Sequence, residues 1–363
     1  MEQLAADGVT ENRWRGRAAA GRLAAMDIAV APFDPSDEAA LDDAYRIRAA
    51  AQVVDTPDVP AGDRAEFGLV AAHPPYGNLI HRALARRGGE AVGYLWLRLP
   101  QLDNTSTVLV ELFVDPAHRR RGVGRALLAH AREVALGHGR KHLIAEVDGV
   151  PPGEDRQPPG AAFAAAVGAQ AALPMVRRRL DTTGLDEAAL TALHEQARSR
   201  AAGYRTVAWQ GAAPEEYVAD VARLEARLLV DAPTGDLAME AERVDAARIR
   251  EIERFQALRG RRRYHLGAVH EQTGRLVAWT MIQTGPFTNW YASQEITIVD
   301  PAHRGHRLGL LVKIENLRQV LAQEPELRVI DTWNAAVNDH MVNINEQLGY
   351  RVAESAADWQ LTL

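Results

Sequence analysis

The chain contains no cysteine among its 363 residues, which excludes disulfide bonds, thiolate metal sites and a cysteine-linked acyl intermediate. No apolar run approaches the roughly 20 residues that a membrane-spanning helix needs, and no secretory signal pattern precedes the first predicted strand. A net charge of −6 argues against general nucleic-acid binding. These absences predict a cytoplasmic protein, monomer or homodimer, that contacts neither membranes nor nucleic acids and holds no metal.

A repeated hexapeptide divides the chain. The string Val-Asp-Pro-Ala-His-Arg occupies residues 114–119 and again residues 299–304, half a chain length apart. Each copy lies between a β-branched run and an apolar helix pattern. The repetition indicates duplication of one structural unit, and the chain length suits two domains.

Both halves show the same order of predicted elements: a strand, helices, two antiparallel strands, the repeat, a helix, a strand, a helix and a last strand. This order predicts a mixed α/β (α+β) fold. We expect a disordered extension over 1–25, a first domain over 26–182, a helical linker over 183–203 and a second domain over 204–363. Helix-forming residues also predict helices over 78–87 and 239–258.

The repeat has the features of an anion site, because each copy ends a strand and begins a helix. Loop amides and the positive end of the helix dipole bind phosphate groups. Gly122 and Gly124 allow the backbone to approach such a group closely, and residues 119–121 are all arginine. The string is neither a Walker loop nor a dinucleotide-binding Gly-x-Gly-x-x-Gly loop.

The first loop, Arg119-x-x-Gly122-x-Gly124, is similar to the pyrophosphate loop of the GCN5-related N-acetyltransferase (GNAT) family. The second loop departs from that pattern, because Arg307 stands where the family has its first glycine. Residues 231–237, 332–335 and 345–350 resemble a tandem acetyltransferase group of actinomycetes. The resemblance covers most of residues 30–363.

The resemblance implies two tandem domains, each with a splayed, mostly antiparallel sheet flanked by helices. Acetyl-CoA would bind as co-substrate in a V-shaped opening between two central strands of such a sheet. The cofactor-binding residues implied in this way, with Lys313 placed by its spacing from the loop, are Val114, Arg119, Arg120, Arg121, Gly122, Val123, Gly124, Ile298, Val299, Arg304, Gly305, His306, Arg307, Leu308, Gly309, Lys313, Asn334 and Asn338. A solvated side chain is the alternative for Lys313.

Three residues of the second half are the predicted catalytic groups. Glu295 is the candidate carboxylate on the repeat strand, and Asn334 is expected near the thioester. Asn345 stands where many family members have a tyrosine, whereas Ala164 has that place in the first half. Glu111 lies one position out of register with Glu295, so we expect its side chain on the opposite face.

The predicted function is acetyl-CoA-dependent transfer of an acetyl group to a small-molecule primary amine by direct attack in a ternary complex. The asparagines and the acids of residues 231–251 favour the C-terminal domain for the chemistry. One alternative is a non-catalytic acyl-CoA binding or sensor protein with degenerate domains, because neither half has the tyrosine. Another is one catalytic domain beside a vestigial one.

Overall fold

The computed structural model describes residues 28–363, and the predicted extension over 1–25 lies outside them. The strands are β1 (Ile28–Pro32), β2 (Asn78–Arg87), β3 (Glu90–Pro100), β4 (Thr107–Val114), β5 (His142–Val150), β6 (Gln170–Asp181), β7 (Tyr204–Gln210), β8 (Arg262–His270), β9 (Leu276–Thr284), β10 (Tyr291–Val299), β11 (Val329–Ala335) and β12 (Arg351–Thr362). The helices are α1 (Glu38–Asp55), α2 (Arg64–Ala72), α3 (Val123–Gly137), α4 (Pro159–Ala166), α5 (Glu187–Arg200), α6 (Val218–Glu225), α7 (Leu228–Asp231), α8 (Ala246–Leu258), α9 (Leu308–Gln323) and α10 (Asp339–Gln347).

All twelve strands form one sheet in the order β1-β2-β3-β4-β5-β12-β6-β11-β10-β9-β8-β7. Two pairs, β4 with β5 and β10 with β11, are parallel, and the others are antiparallel. The mixed sheet flanked by helices confirms the predicted fold class. It also shows a feature that the sequence did not predict, namely that the two halves share a single sheet.

The two halves exchange their last strands. β6 ends the first half but pairs with β11, and β12 ends the second half but pairs with β5. The exchanged strands also pair with each other at the centre of the sheet. A backbone ladder therefore joins the halves, and neither half completes its sheet without the other.

Arg177 of β6 fixes this exchange by ion pairs. Its guanidinium lies 2.8 Å from Asp331 of β11, 2.9 Å from Glu354 of β12 and 2.9 Å from Asp58, in the loop that follows α1. Arg177 and Asp331 are almost fully buried, so removing either partner would leave an uncompensated buried charge. Ion pairs as well as backbone hydrogen bonds therefore connect the exchanged strands to their neighbours in the sheet.

Helices cover both faces of the sheet in each half. In the first half, α1 packs through Ala44 and Ile47 against Tyr94, and α3 packs through Leu127 against the other face. In the second half, α6 and α8 cover one face and α9 the other. Aspartates begin several of the helices, and Asp37 and Asp63 accept backbone hydrogen bonds at the starts of α1 and α2.

Two predicted helices differ from the structure. Residues 78–87 form strand β2, because pairing with β3 along its whole length overrides the helix propensity of Ala, Leu and Arg. Residues 239–245 are not helical, and α8 begins only at Ala246. The non-helical stretch is held by Asn104 of the β3–β4 loop, which bonds the backbone N–H and C=O of Glu240. In both cases a tertiary contact decides the local structure.

No helix within residues 28–363 is long and apolar enough to cross a membrane.

Candidate active site

Each half has an opening where its two parallel strands separate. β4 and β5 pair up to Leu109 opposite Ile144 and then part. β10 and β11 pair up to Ser293 opposite Asp331 and then part. Beyond each opening the strand runs into the repeated hexapeptide and a helix. Both halves therefore place an open cleft beside a helix N-terminus.

The hexapeptide builds the same anchored turn twice. Asp115 caps a 3₁₀ turn by accepting the N–H of Ala117 and pairs with Arg46 of α1 at 3.1 Å. Asp300 caps the corresponding turn and pairs with Arg223 of α6. The aspartate of the repeat thus attaches each loop to a helix on one face of the sheet.

The last arginine of each repeat is held by an acid. Arg119 forms a two-bond ion pair with Asp55 at 2.8 and 2.6 Å, and Arg304 donates to Asp231 at 2.9 Å. Their guanidinium groups are therefore engaged within the protein, and their backbones remain as the means of binding phosphate. Arg120 and Arg121 are exposed and form no hydrogen bond within the described chain.

The two loops have the same backbone, although their glycines differ. The first has left-handed φ angles at Arg120 (60°) and Gly122 (89°), and the second has them at Gly305 (87°) and Arg307 (54°). Gly122 and Arg307 are also the N-cap residues, directly before the first residues of α3 and α9. The arginine that departs from the family pattern in sequence therefore keeps the local geometry of the first loop. Both loops present their amides alike.

The first opening has room for ligands. A cavity of about 780 Å³ lies along β4, β5 and α4, and residues 229–239 of the second half supply part of its wall. A neighbouring cavity of about 530 Å³ lies between α2, β3 and α8. Glu111 of β4 lines both cavities, so it stands where the two meet.

Carboxylates dominate the β5 and β12 side of the larger cavity. Glu146 of β5 lies directly opposite Asp358 of β12. Burial, with Asp358 and Asp148 nearby, raises the pKa of Glu146 to about 7. Burial also raises the pKa of Asp148 and of Asp358 to about 6. The raised pKa values show that nearby positive groups do not compensate the burial of these carboxyls, so a positive charge placed among them would favour their ionised form.

The expectation that Glu111 and Glu295 point to opposite faces is wrong. Met281 of β9, the counterpart of Trp96, faces two residues of β10, Glu295 and Ile296, across a β-bulge. Trp96 faces only Glu111. The extra residue in the bulge compensates for the one-residue difference in register between Glu111 and Glu295. Amino-acid composition does not indicate a bulge of this kind.

Glu295 is exposed and accepts a hydrogen bond from Gln283 at 2.6 Å. The protein around the Glu295 carboxyl reduces its hydration and so raises its pKa, whereas the hydrogen bond from Gln283 lowers that pKa. Glu295 therefore occupies the second half's counterpart of the Glu111 position.

The second opening is filled by its own polar side chains. Lys313 donates to Asn345 at 2.7 Å, and Asn345 donates to Asn334 at 2.7 Å. Lys313 and Asn345 are 2% and 0% exposed, so they form an interior cluster. Burial lowers the pKa of Lys313 to about 7.

Lys313 fits neither sequence-based expectation, since it is not solvated and its amine is engaged with Asn345. Asn345, predicted as catalytic, serves as the hydrogen-bond acceptor of that amine. Asn338, predicted to contact the cofactor, caps α10 by accepting the N–H of Met341. Asn334 and Asn338 are partly exposed, unlike Lys313 and Asn345.

Several other predicted cofactor residues have side chains in the core. Val123, Leu308 and Ile298 are buried, which leaves only their backbone atoms for a ligand. Val114 and Val299 end β4 and β10, and His306 lies against the carbonyl of Arg200. Within residues 28–363 no group of three histidine or acidic side chains is arranged to hold a metal ion.

The sequence did not predict most of the carboxylates on the β5 and β12 side of the larger cavity, Glu146, Asp148 and Asp358, which together are called the acidic wall below. Glu146 and Asp148 alternate on β5, a pattern that was visible, but their proximity to Asp358 depends on the strand exchange. Residues 231–251 were expected to serve the chemistry of their own half, yet residues 232–239 of that segment line the cavity of the other half. No local signal indicates either arrangement.

Parted parallel strands beside a helix start match the opening that the sequence resemblance implied. The acetyltransferase (GNAT) family model matches residues 41–150. A tandem GNAT protein from the clavulanic acid biosynthesis pathway, solved without acetyl-CoA, is 32% identical, with a TM-score of 0.76 over 92% of this chain and 98% of its own. A GCN5-related N-acetyltransferase from Sphaerobacter thermophilus is 14% identical and shares the fold, with a TM-score of 0.64 over 93% of this chain and 96% of its own.

No curated protein matches the chain significantly. The identity to the tandem protein over nearly the full length of both chains shows the family. The chain belongs to the GNAT family, in its tandem form, and its fold is that of acetyltransferases.

Proposed function

We propose that the protein transfers an acetyl group from acetyl-CoA to the primary amine of a small molecule, and that the first half carries out the reaction. The observation that supports this most is the position of Glu111, in the wall shared by two cavities at the first opening. A cofactor in one cavity and an acceptor in the other would meet there. The sequence had favoured the second half, whose opening is filled by Lys313, Asn345 and Asn334.

The residues of the first loop fit the cofactor. The amides after Arg119 and the start of α3 would hold the pyrophosphate, with Arg120 and Arg121 free to add charge. The edge of β4 beyond Leu109 has no partner in the sheet on its β5 side, so it is available to pair with the pantetheine arm. The thioester would then point toward Glu111.

The reaction needs a base, because an ammonium group must lose a proton before its nitrogen can attack. Glu111 is the candidate acceptor of that proton. The neutral amine nitrogen forms a bond to the acetyl carbon, the nitrogen releases its second proton to solvent, the carbon–sulfur bond breaks, and CoA leaves as a thiolate. Solvent in the open cleft protonates the thiolate, and Glu111 returns its proton to solvent.

A thiol-release assay with acetyl-CoA and a panel of small amines tests this function, with product masses as confirmation. We expect release that depends on the amine. Tight acetyl-CoA binding by calorimetry without thiol release from any acceptor would instead support the sensor function. Binding of one acetyl-CoA per chain agrees with a single working opening, and binding of two would show that both loops are active.

A further inference from the structure

The smaller cavity carries a surplus of positive charge. Six arginines line it: Arg48, Arg82, Arg98, Arg248, Arg259 and Arg261. The three from the second half are paired, since Arg248 bonds Asp103 and Glu242, and Arg259 and Arg261 bond Glu66. The three from the first half form no ion pair with any carboxylate of the described chain.

The unpaired arginines are also poorly solvated. Arg82 is only 8% exposed, and its hydrogen-bond partners are neutral: the hydroxyl of Tyr94 and, at a long 3.4 Å, the carbonyl of Val70. The Nε of Arg98 is buried without a hydrogen-bond partner. Burial lowers the pKa of both groups. Buried guanidinium groups without an ion-paired carboxylate are costly, so such a site is stabilised by an anion.

The nearby acids do not neutralise this surplus. Glu66, Asp103 and Glu242 are engaged with the second-half arginines, and Asp63 caps α2. Among the acids that line the smaller cavity, Glu111 is the one that neither pairs with an arginine nor caps a helix. Arg48 and Arg98 line both cavities beside Glu111, whereas Arg82 lines only the smaller one and Glu146, Asp148 and Asp358 line only the larger one. The smaller cavity is therefore the more positive of the two, with Glu111 at their boundary.

We propose that the acceptor is zwitterionic, an amino acid or a compound that carries a carboxylate beside its amine. This inference rests on the proposed function. The carboxylate binds Arg48, Arg82 and Arg98 in the smaller cavity, and the amine lies at Glu111, facing Glu146. A cavity of about 530 Å³ accommodates a molecule of that size.

The test compares acceptors that share an amine and differ in the acid: the common amino acids, their carboxamides and the corresponding decarboxylated amines. We expect kcat/KM to favour the carboxylate form over its carboxamide by about 10- to 100-fold, since charged hydrogen bonds are lost. Arg98→Gln and Arg48→Gln should each bring this ratio toward one, and Arg98→Lys should restore part of it. Arg254→Gln, an exposed arginine of α8, is the control and should leave the ratio unchanged.

Equal use of carboxylates, carboxamides and plain amines would overturn the inference and leave the proposed function intact. The same holds if neither arginine variant alters the ratio. If no amine is acetylated, the proposed function fails, and calorimetry with N-acetylglycine and N-acetylglycinamide decides the inference. A preference for the carboxylate that weakens in Arg98→Gln supports the anion site, and the absence of a preference overturns it.

Discussion

The two openings share one backbone design and differ in what fills them. Both have a capped repeat turn, an arginine held by an acid and two left-handed residues before a helix. The strand beyond the first opening is at least partly exposed along residues 110–114, whereas Gln294, Ile296 and Ile298 are buried in the second. Duplication has thus preserved the backbone of the turn, and the two openings differ in the side chains that surround it.

The largest expected difference between the halves concerns their glutamates. Glu111→Gln removes the proposed proton acceptor without changing the shape of the site, so kcat should fall by about 100- to 10,000-fold. Glu295→Gln is the matched variant in the second half and should change kcat much less. Steady-state kinetics of both variants makes the comparison. A larger loss in Glu295→Gln would return the chemistry to the second half.

The interior cluster of the second half should show in the pH dependence of stability. Because burial lowers the pKa of Lys313 to about 7, the unfolded chain binds more protons than the folded one between that value and the ordinary lysine value. The free energy of unfolding gains a contribution that rises with pH from about 7 to about 10. Lys313→Met should lose this rise, as measured by urea unfolding at several pH values.

Lys141, the other lysine of the chain, provides a control because it is exposed. Lys141→Met should keep the pH dependence of the natural protein. A parallel pH profile for Lys313→Met and the natural protein would show that Lys313 titrates as an ordinary lysine.

The acidic wall of the first half should give the opposite slope. The raised pKa of Glu146 means that the folded state binds more protons than the unfolded one between about pH 4.5 and 7. Its contribution to stability therefore falls as pH rises through that window. Glu146→Gln should raise Tm at pH 8 and have little effect at pH 4.5. An equal shift at both pH values would mean that ionisation of the buried Glu146 carboxyl is not the cause.

The loops should differ in their use of side-chain charge. Arg121 is free to contact a phosphate, whereas Arg307 donates to Gln196 of α5 at 3.1 Å. Arg121→Glu should weaken acetyl-CoA binding by about 10-fold, as for the loss of a charged hydrogen bond. Arg307→Glu leaves the first loop unchanged, so it should weaken acetyl-CoA binding less than Arg121→Glu does, as measured by calorimetry. A reversed order would show that the second loop supplies the main cofactor site.

The sequence predicted the features of this molecule that depend on residues close together along the chain. The repeat, the strand-to-helix turns and the mixed sheet follow from residue patterns within a few positions of each other. The exchange of β6 and β12 was not predictable, because each strand has the same alternating pattern whichever neighbour it pairs with. The acidic wall, the shared cavities and the register of Glu111 all depend on that exchange or on the β10 bulge, so the choice of the working half could not be read from motifs.

The smallest expected effect tests whether the two loops are equivalent in backbone. Arg307 has a left-handed φ of 54°, which an L-residue other than glycine adopts at a cost of about 1 kcal/mol. Arg307→Gly should therefore increase the free energy of unfolding by up to that amount, and Gly122→Ala, at the same place in the first loop, should decrease it. Urea unfolding of the two variants measures both changes. A loss of stability in Arg307→Gly would show that the contact with Gln196 outweighs the backbone strain, and that the arginine was retained to attach the loop to α5.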